Sequence, residues 1–299
     1  MEAIVIDNLS KSYGKVKALD NVSFSVRNGE LFGLIGPDGA GKTTLFRLLT
    51  TLLTPDSGSA KVAGWDVVDD YLAIRSCVGY MPGTFSLYQD LTVEENLNFF
   101  AALFGASVRD SYELVEPIYK QIEPFKNRRA GKLSGGMKQK LALSCALIHR
   151  PKVLFLDEPT TGVDAVSRSE FWSMLADLKQ RGITILVSTP YMDEASLCDR
   201  IALCNEGRLL GLDSPHQLVA SFQSHLWAIR AKNMYALLEV ARRFEGVTEC
   251  YPFGEFHHLV VTDAFDAEKF ARQMNRCDDF VMCEAHPTIE DLFIKLMKR

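Results

Sequence analysis

The chain has 299 residues, of which 47% are hydrophobic and 24% are charged, and its formal net charge is −5. This composition is ordinary for a soluble globular protein of one large domain or two smaller ones. The negative charge argues against nucleic acid as a partner, because sequence-independent binding of phosphate backbones needs a basic surface. Seven scattered cysteines without a C-x-x-C pair favour reduced thiols in the cytosol over a zinc site or a disulfide framework.

We expect neither a secretory signal nor a membrane span in this chain. The start, "MEAIVIDNLSKSYG", lacks a basic segment followed by an apolar run. No apolar run reaches the roughly 18 residues at which a transmembrane helix becomes a candidate. If the protein acts at a membrane, the sequence predicts that another protein holds it there.

The first third of the chain is predicted to be rich in strands. "AIVIDNLSKSYG" and "ALDNVSFSVRNGE" have strand patterns, and "LFGLIG" is a short apolar run typical of a strand buried on both faces. The glycine loop that follows should lead into a helix from Lys42 to about Leu53. "AKVAGWDV" and "CVGYMP" are again strand-like.

From Thr92 the pattern becomes helical. Thr92 and Glu95 form a capping box before "NLNFFAALF", more helix is predicted in "SYELVEPIYKQI", and "LSGGMKQKLALSCALIHRP" predicts a helix capped by Ser134. "KVLFLDEP" and "ITILVST" have the pattern of buried strands. A capping box of Ser167 and Glu170 is predicted to begin the helix that connects these two strands.

The character of the sequence changes after Ser221. The remaining segments predict the order strand, helix, strand, strand, helix, strand, helix, with helices at "MYALLEVARRF" and "DAEKFARQMNR". The last helix follows a capping box of Thr288 and Asp291. His257 and His258 are interpreted as an ordinary strand end without a metal-binding role.

"GPDGAGKT", from Gly36 to Thr43, matches the phosphate loop G-x-x-x-x-G-K-[ST]. Its glycines let successive backbone N–H groups turn onto phosphate oxygens, and the following helix adds its positive end. Lys42 is predicted to reach the β- and γ-phosphates, and the Thr43 hydroxyl to ligate Mg²⁺. The alternative is a glycine-rich turn before an amphipathic helix, but the buried strand in front favours nucleotide binding. The Asp38 carboxylate is expected to point to solvent.

"VLFLDEP" supplies two acids at the end of a buried strand. Asp157 is predicted to hold the Mg²⁺ shell, as P-loop enzymes require. Glu158 is predicted to be the catalytic residue that orients or deprotonates the attacking water. Alone, an apolar run that ends in two acids indicates little, but together with the phosphate loop it predicts a P-loop enzyme.

"LSGGMKQK", from Leu133 to Lys140, begins a helix with Ser-Gly-Gly, a second anion-binding helix terminus. Because the chain already has its own phosphate site, this helix is inferred to serve a nucleotide held elsewhere, most simply by a second subunit. With these three motifs in this order, residues 1 to about 220 closely resemble the ATP-binding subunits of ABC transporters. The resemblance implies ATP and Mg²⁺ as ligands. The signature residues that it assigns to the partner's site are Leu133, Ser134, Gly135, Gly136, Met137, Lys138 and Gln139.

The resemblance implies further roles. Tyr13 lies where the family places an aromatic that stacks on adenine, with packing at a strand end as the alternative. Asp164 in "TTGVD" matches the dimer-contacting loop. "LYQDLTVEENLNFFAALFG" resembles the helical segment that meets a permease, and "HPTIEDLFIKLM" resembles the close of drug and antibiotic exporter subunits that have separate permease chains. The nucleotide-binding residues are then Tyr13, Gly36, Pro37, Asp38, Gly39, Ala40, Gly41, Lys42, Thr43 and Thr44.

Two positions depart from the family's pattern. After "VGYMP" the family usually has a glutamine that touches Mg²⁺ and water, and this chain has Gly83. After "LVST" the family has a switch histidine, and this chain has Pro190. Because an acid–base or water-positioning group typically contributes about 10²–10⁴ in rate, we predict a degenerate site that binds ATP and hydrolyses it slowly. The retained Glu158 argues for some turnover.

The predicted function is the ATP-binding subunit of an ABC exporter, a cytoplasmic protein held at the inner face of the cell membrane by its permease. It would dimerise around nucleotide with a second ATP-binding subunit, and the degenerate site favours a heterodimer over a homodimer. Two alternatives stay open: a regulatory ATP-binding module without turnover, and a soluble ABC ATPase outside transport. Turnover with permease and partner would exclude the first alternative, and membrane recruitment would exclude the second.

The predicted fold is α/β, a P-loop NTPase of the ABC type with a mixed sheet. An antiparallel β subdomain is expected near the N-terminus and a helical subdomain at about residues 85–150. The predicted domains are a nucleotide-binding domain at residues 1–220 and a small C-terminal α/β appendix at residues 221–299.

Overall fold

A computed structural model describes residues 1–274 and 277–298, without the side chains of residues 108–111. The chain divides into two compact units, Met1–Pro215 and His216–Arg299. The division lies five residues before the boundary expected from the sequence, because the helix Pro215–Ala220 begins with the second unit. Among the described residues, no helix is both long and apolar enough to cross a lipid bilayer.

The elements alternate between strands and helices along most of the chain. The strands are β1 Glu2–Tyr13, β2 Val16–Arg27, β3 Leu31–Ile35, β4 Ser57–Val62, β5 Trp65–Asp66, β6 Val78–Met81, β7 Val153–Asp157, β8 Thr184–Thr189, β9 Arg200–Asn205, β10 Arg208–Asp213, β11 His225–Arg230, β12 Val247–Phe253, β13 Phe256–Val261 and β14 Val281–Ala285. The helices are α1 Lys42–Leu49, α2 Tyr71–Cys77, α3 Val93–Leu103, α4 Val108–Tyr119, α5 Gly135–Leu147, α6 Ala165–Gln180, α7 Pro215–Ala220, α8 Met234–Ala241, α9 Ala267–Met274 and α10 Ile289–Met297. The predicted end of α9 at Asn275 and Arg276 lies outside the described residues.

The first unit contains two sheets. The antiparallel sheet has the order β2-β1-β4-β5 and supplies the predicted β subdomain. The mixed sheet has the order β10-β9-β3-β8-β7-β6, in which only β9 and β10 pair antiparallel. Every residue of β3, β7 and β8 is buried, which explains their continuous apolar sequences. The ends of these three parallel strands meet at one edge of the sheet and bring the two sequence motifs together.

The predicted helical subdomain contains α3, α4 and α5. The capping box of Thr92 and Glu95 is confirmed at the start of α3, where each side chain bonds the other residue's backbone N–H. Ser134 caps α5, with its hydroxyl accepting from the Met137 N–H at 3.4 Å. Pro117 lies inside α4, near its end.

Two predicted helix boundaries are wrong. Helix α1 ends at Leu49 and not at about Leu53, because Thr51 has a left-handed backbone with φ of 62°. Helix α6 begins at Ala165, and its cap is Asp164, whose carboxylate accepts from the Ser167 N–H at 3.0 Å. Because the helix begins at Ala165, Ser167 already lies in its first turn, and its N–H is the group that Asp164 caps.

The second unit has the predicted order of strands and helices. Its sheet, β12-β13-β11-β14, is antiparallel throughout, and α8 and α9 pack their apolar residues on one face. Helix α10 lies on the other face, where Asp291 contacts His258 and Tyr251. Neighbouring residues of a strand point to opposite faces, so His257 bonds α8 through the Met234 carbonyl at 2.8 Å. The two histidines lie near the start of β13, at a strand end as interpreted, but both are buried and hydrogen-bonded.

Candidate functional site: a phosphate-loop cleft

A cleft of about 670 Å³ opens at the edge where β3 and β7 end. It joins the phosphate loop, the acids of "LDEP", the end of β6 and the turn after β1. Its lining residues are Tyr13, Val16, Lys17, Ala18, Asp38, Gly39, Ala40, Gly41, Lys42, Thr43, Thr44, Arg47, Tyr80, Pro82, Gly83, Thr84, Asp157, Glu158 and Glu206. Gly36 and Pro37, which were also predicted to bind nucleotide, contribute backbone carbonyls behind this surface. Asp38 is exposed, as expected, but it also lines the cleft.

The phosphate loop needs its glycines for two different reasons. At Gly36 a Cβ atom would lie 2.2 Å from the Cys204 carbonyl oxygen, so only glycine permits this approach to β9. Gly41 has φ of 97° and precedes α1 without any side-chain cap. The first N–H groups of α1 are thus left for an anion.

Lys42 is buried and points its ammonium group at protein oxygens. Its Nζ atom donates to the carbonyls of Gly36 at 2.8 Å and Pro37 at 2.9 Å. The Oε1 atom of Glu158 lies 3.0 Å from the same nitrogen. The predicted phosphate-binding cation and the predicted catalytic acid therefore form an ion pair with each other.

The two acids of "LDEP" have different environments. Asp157 is buried, and its Oδ1 atom accepts from the Ser188 hydroxyl at 2.7 Å. Glu158 has a left-handed backbone, with φ of 50°, and its N–H donates to the carbonyl and the hydroxyl of Ser188. This turn after β7 directs the Glu158 carboxylate into the cleft. Ser188 was missed in the sequence, because its role follows from the pairing of β7 with β8.

The donors near Asp157 fit a magnesium ion. Thr43 and Asp157 line one cleft and offer a hydroxyl and a carboxylate, the oxygen ligands that Mg²⁺ prefers. Burial and then the Asp157 charge raise the pKa of Tyr80 to about 12, so this lining residue stays neutral. Tyr13 lines the cleft and is 46% exposed.

The two departures from the family pattern lie in different places. Gly83 lines the cleft, and a Cβ atom there would lie 3.1 Å from the Asp157 carbonyl oxygen. Pro190 is half-buried and does not line the cleft. It directly follows Thr189, whose carbonyl accepts from the Gly36 N–H at 3.3 Å. Gly83 therefore lies in the cleft, whereas Pro190 lies beside it.

The signature residues and Asp164 do not line the cleft of this chain. Instead, the start of α5 lies against α6 and the loop before it, since a Cβ atom on Gly136 would lie 2.6 Å from the Ser167 hydroxyl. Hydrogen bonds from Ser167 lower the pKa of Asp164, which stays ionised at the N-terminus of α6. The two motifs that were assigned to a dimer contact therefore lie side by side.

An apolar groove of about 560 Å³ lies between β6 and the helical subdomain. Phe100, Leu103 and Phe104 line it, and the His149 ring stacks on Phe104 at 3.9 Å between centroids. The Nε2–H of His149 donates to the Val78 carbonyl, while its buried Nδ1 atom has no hydrogen-bond partner. Burial lowers the pKa of His149 despite this hydrogen bond, so the ring is neutral at pH 7.

Comparisons with known proteins point to one family. Residues 19–161 match the family model described as ABC transporter. The chain is 40% identical to the probable multidrug ABC transporter ATP-binding protein YbhF of Escherichia coli K12, over 98% of this chain and 52% of that protein. It therefore spans about half the length of that relative. It is also 35% identical to the Nod factor export ATP-binding protein I of Rhizobium sp. N33, over 99% of this chain and 97% of that protein.

A solved structure shows the same fold with nucleotide products. The dimeric post-hydrolysis state of the ATP-binding cassette MJ0796, bound to ADP and Pi, matches with a TM-score of 0.64 and 25% identity. The match covers 71% of this chain and 98% of that cassette. Together with the phosphate loop, the acid pair and the signature helix, these matches show that the chain belongs to the ATP-binding proteins of ABC transporters, a family of ATPases.

Proposed function

We propose that this chain is the ATP-binding subunit of an exporter, which binds MgATP in the cleft, dimerises around nucleotide and drives a separate permease. The observation that carries the proposal is the convergence of Lys42, Thr43, Asp157 and Glu158 on one cleft. The names of the relatives, a probable multidrug ABC transporter ATP-binding protein and a Nod factor export ATP-binding protein, support an export role. Such a subunit would lie at the inner face of the membrane through its permease.

Five of the residues around the cleft have distinct proposed tasks. The N–H groups of the loop and of α1 hold the phosphates, and Lys42 exchanges its protein oxygens for phosphate oxygens. Thr43 and Asp157 would hold Mg²⁺, which neutralises phosphate charge when bound. Tyr13 stacks on the adenine. Glu158, once Lys42 has released it, can accept a proton from the attacking water.

The site is proposed to turn ATP over slowly. Gly83 brings no side chain to the cleft, and Pro190 has neither a basic imidazole nitrogen nor a backbone N–H group. Glu158 is then the proposed proton acceptor. The signature residues would complete the site of a second ATP-binding subunit, and a heterodimer with an active partner site is favoured over a homodimer.

The apolar groove is the proposed contact with the permease. Its wall includes the helical segment that resembles the permease-contacting part of the family, and exposed Tyr88, Phe99 and Leu103 lie on that segment. Exposed aromatic and aliphatic groups on a concave surface favour a buried protein contact.

The deciding experiment compares ATP binding and turnover of the purified chain with those of a Gly83→Gln/Pro190→His variant. We expect the wild type to bind ATP and hydrolyse it slowly, and the variant to gain about tenfold or more in turnover. Gly83→Ala is the control, because it adds the Cβ atom that crowds the Asp157 carbonyl but not the amide. Equal turnover of wild type and variant would instead favour an active homodimer, and absence of ATP binding would overturn the proposal.

A further inference from the structure

Behind the cleft, Glu194 is a buried acid that the proposed chemistry does not use. It lies in the short helical turn Met192–Leu197 and is 2% exposed. Its Oε1 atom accepts from the Thr160 hydroxyl at 2.9 Å, and its Oε2 atom accepts from the Thr189 hydroxyl. The Arg168 Nε atom lies 3.5 Å from Oε1. A buried carboxylate is costly unless such partners satisfy it, so the arrangement is specific.

The partners of Glu194 connect three segments of the site. Thr160 lies two residues after Glu158, in the loop that leads to Asp164. Thr189 ends β8, and its carbonyl accepts from the Gly36 N–H at the start of the phosphate loop. One carboxylate thus links the loop of the acids with the strand end that touches the phosphate loop.

Arg168 adds a fourth segment, helix α6. Its guanidinium group donates to Asp193 at 2.8 Å and lies over the Tyr191 ring at 4.7 Å. The Tyr191 N–H in turn donates to the Thr189 hydroxyl at 3.1 Å. Pro190 itself has no N–H group to donate. The residues on both sides of it are instead fixed by the contacts of Thr189, Tyr191 and Asp193.

We propose that Glu194 is the positioning residue that fixes the loop from Thr160 to Asp164 against the end of β8. The inference rests on the proposed function, since that loop carries the dimer contact and follows the proton acceptor. Glu194 does not line the cleft and touches no reacting atom. Its loss should loosen the loop and lower turnover, while the phosphate loop keeps its affinity for ATP.

Hydrogen exchange of the full chain, with and without ATP, tests this role. In Glu194→Ala, two buried hydroxyls lose their acceptor, so exchange should rise about tenfold at residues 160–164 and 191–193. Exchange in α1 and the dissociation constant for ATP should stay within about threefold of the wild type. Any measurable turnover should fall by more than the affinity does.

Matched variants separate positioning from general stability. Thr160→Ser keeps the hydroxyl and should behave as the wild type, whereas Thr160→Val should reproduce the local loss and add little in the double variant with Glu194→Ala. Asp177→Ala removes an exposed acid from α6 as a control for charge. Unchanged exchange at residues 160–164, or a uniform rise across the first unit, would overturn the inference. If the wild type fails to bind ATP, the proposed function falls, and the nucleotide-free exchange still decides the role of Glu194.

Discussion

At the scale of single residues, protein oxygens surround the ammonium group of Lys42 in the cleft. Lys42 has two carbonyl acceptors and one carboxylate within 3.0 Å. ATP must replace at least part of this set, and each lost contact offsets some of the binding free energy. Glu158 is therefore both a proposed proton acceptor and a competitor of the phosphates.

We predict that Glu158→Gln binds ATP about fivefold more tightly than the wild type, since a neutral amide competes less strongly for Lys42. Turnover should fall at the same time, because the proton acceptor is lost. Equilibrium binding of a fluorescent ATP analogue measures the first effect and phosphate release measures the second.

Glu206→Gln is the matched control, because Glu206 also lines the cleft and its loss changes the net charge equally. If both variants gain affinity to the same degree, the effect is one of overall charge. The ion pair with Lys42 would then have no special role in ATP binding.

At the scale of elements, the start of the signature helix depends on one close contact. The two glycines at the start of α5 differ in their surroundings: a Cβ atom on Gly136 would lie 2.6 Å from the Ser167 hydroxyl, whereas one on Gly135 would lie 3.7 Å from its nearest neighbour. Ser167 lies in the first turn of α6. The distance between these helix starts is therefore set by the absence of a side chain at position 136.

We predict that Gly136→Ala destabilises the first unit by about 1–3 kcal/mol, the usual cost of overpacking. Gly135→Ala gains the same helix propensity without the clash and should be neutral or slightly stabilising. Urea unfolding of both variants measures the difference. Equal stabilities would show that α5 and α6 separate at little cost.

The sequence predicted elements better than it predicted their contacts. The capping boxes at Thr92 and Thr288 are local patterns of four residues, and both occur in the structure. The cap at Asp164 was missed because the serine and glutamate that follow make a second, equally good pattern. The capping preferences of single residues therefore do not decide whether the helix begins after Asp164 or after Ser167.

Contacts between distant segments were beyond sequence reasoning. Asp157 and Ser188 meet because β7 lies beside β8, and Glu194 meets Thr160 across a similar separation in the chain. The strand order that creates these pairs depends on the packing of the whole sheet. The motifs therefore predicted the phosphate loop and the acids, and they did not predict the hydroxyls that hold those acids in place.

At the scale of the whole molecule, each unit has its own core, and the second unit contains a buried polar cluster. Asp291 accepts from Tyr251 at 2.7 Å, lies 2.6 Å from the His258 ring and caps α10 with Thr288. Burial acts to raise the pKa of Asp291, but the hydrogen bonds from His258, Thr288 and Tyr251 outweigh it and leave the pKa below its ordinary value.

We predict that the second unit loses stability as the pH falls below about 4, the usual aspartate pKa. A depressed pKa means that the unfolded state takes up the proton first, so the Asp291 contribution is complete above that pH and is lost as the pH falls through the folded-state pKa. Trp227 reports on this unit alone in a Trp65→Phe/Trp172→Phe background. Its fluorescence during urea unfolding, measured at several pH values, gives the dependence.

Asp291→Asn should destabilise the second unit by about 3 kcal/mol at pH 7, since it breaks a buried polar cluster, and it should flatten the acid dependence. Asp263→Asn removes a carboxylate whose side chain is 98% exposed and should change neither. If Asp291→Asn is as stable as the wild type, the cluster does not contribute to the stability of the second unit as we predict.

The central strand β3 has a consequence for how the protein is made. Leu31–Ile35 pair only with Thr184–Thr189 and Arg200–Asn205 in the described sheet. The strand before the phosphate loop therefore has no neighbouring strand until Thr184–Thr189 has been synthesised, and it gains its second neighbour only with Arg200–Asn205. Until then the apolar segment Leu31–Ile35 is unpaired in the growing chain and can form non-native contacts. A nascent chain that stops short of residue 184 carries every residue of the phosphate loop and still lacks both strands that pair with β3.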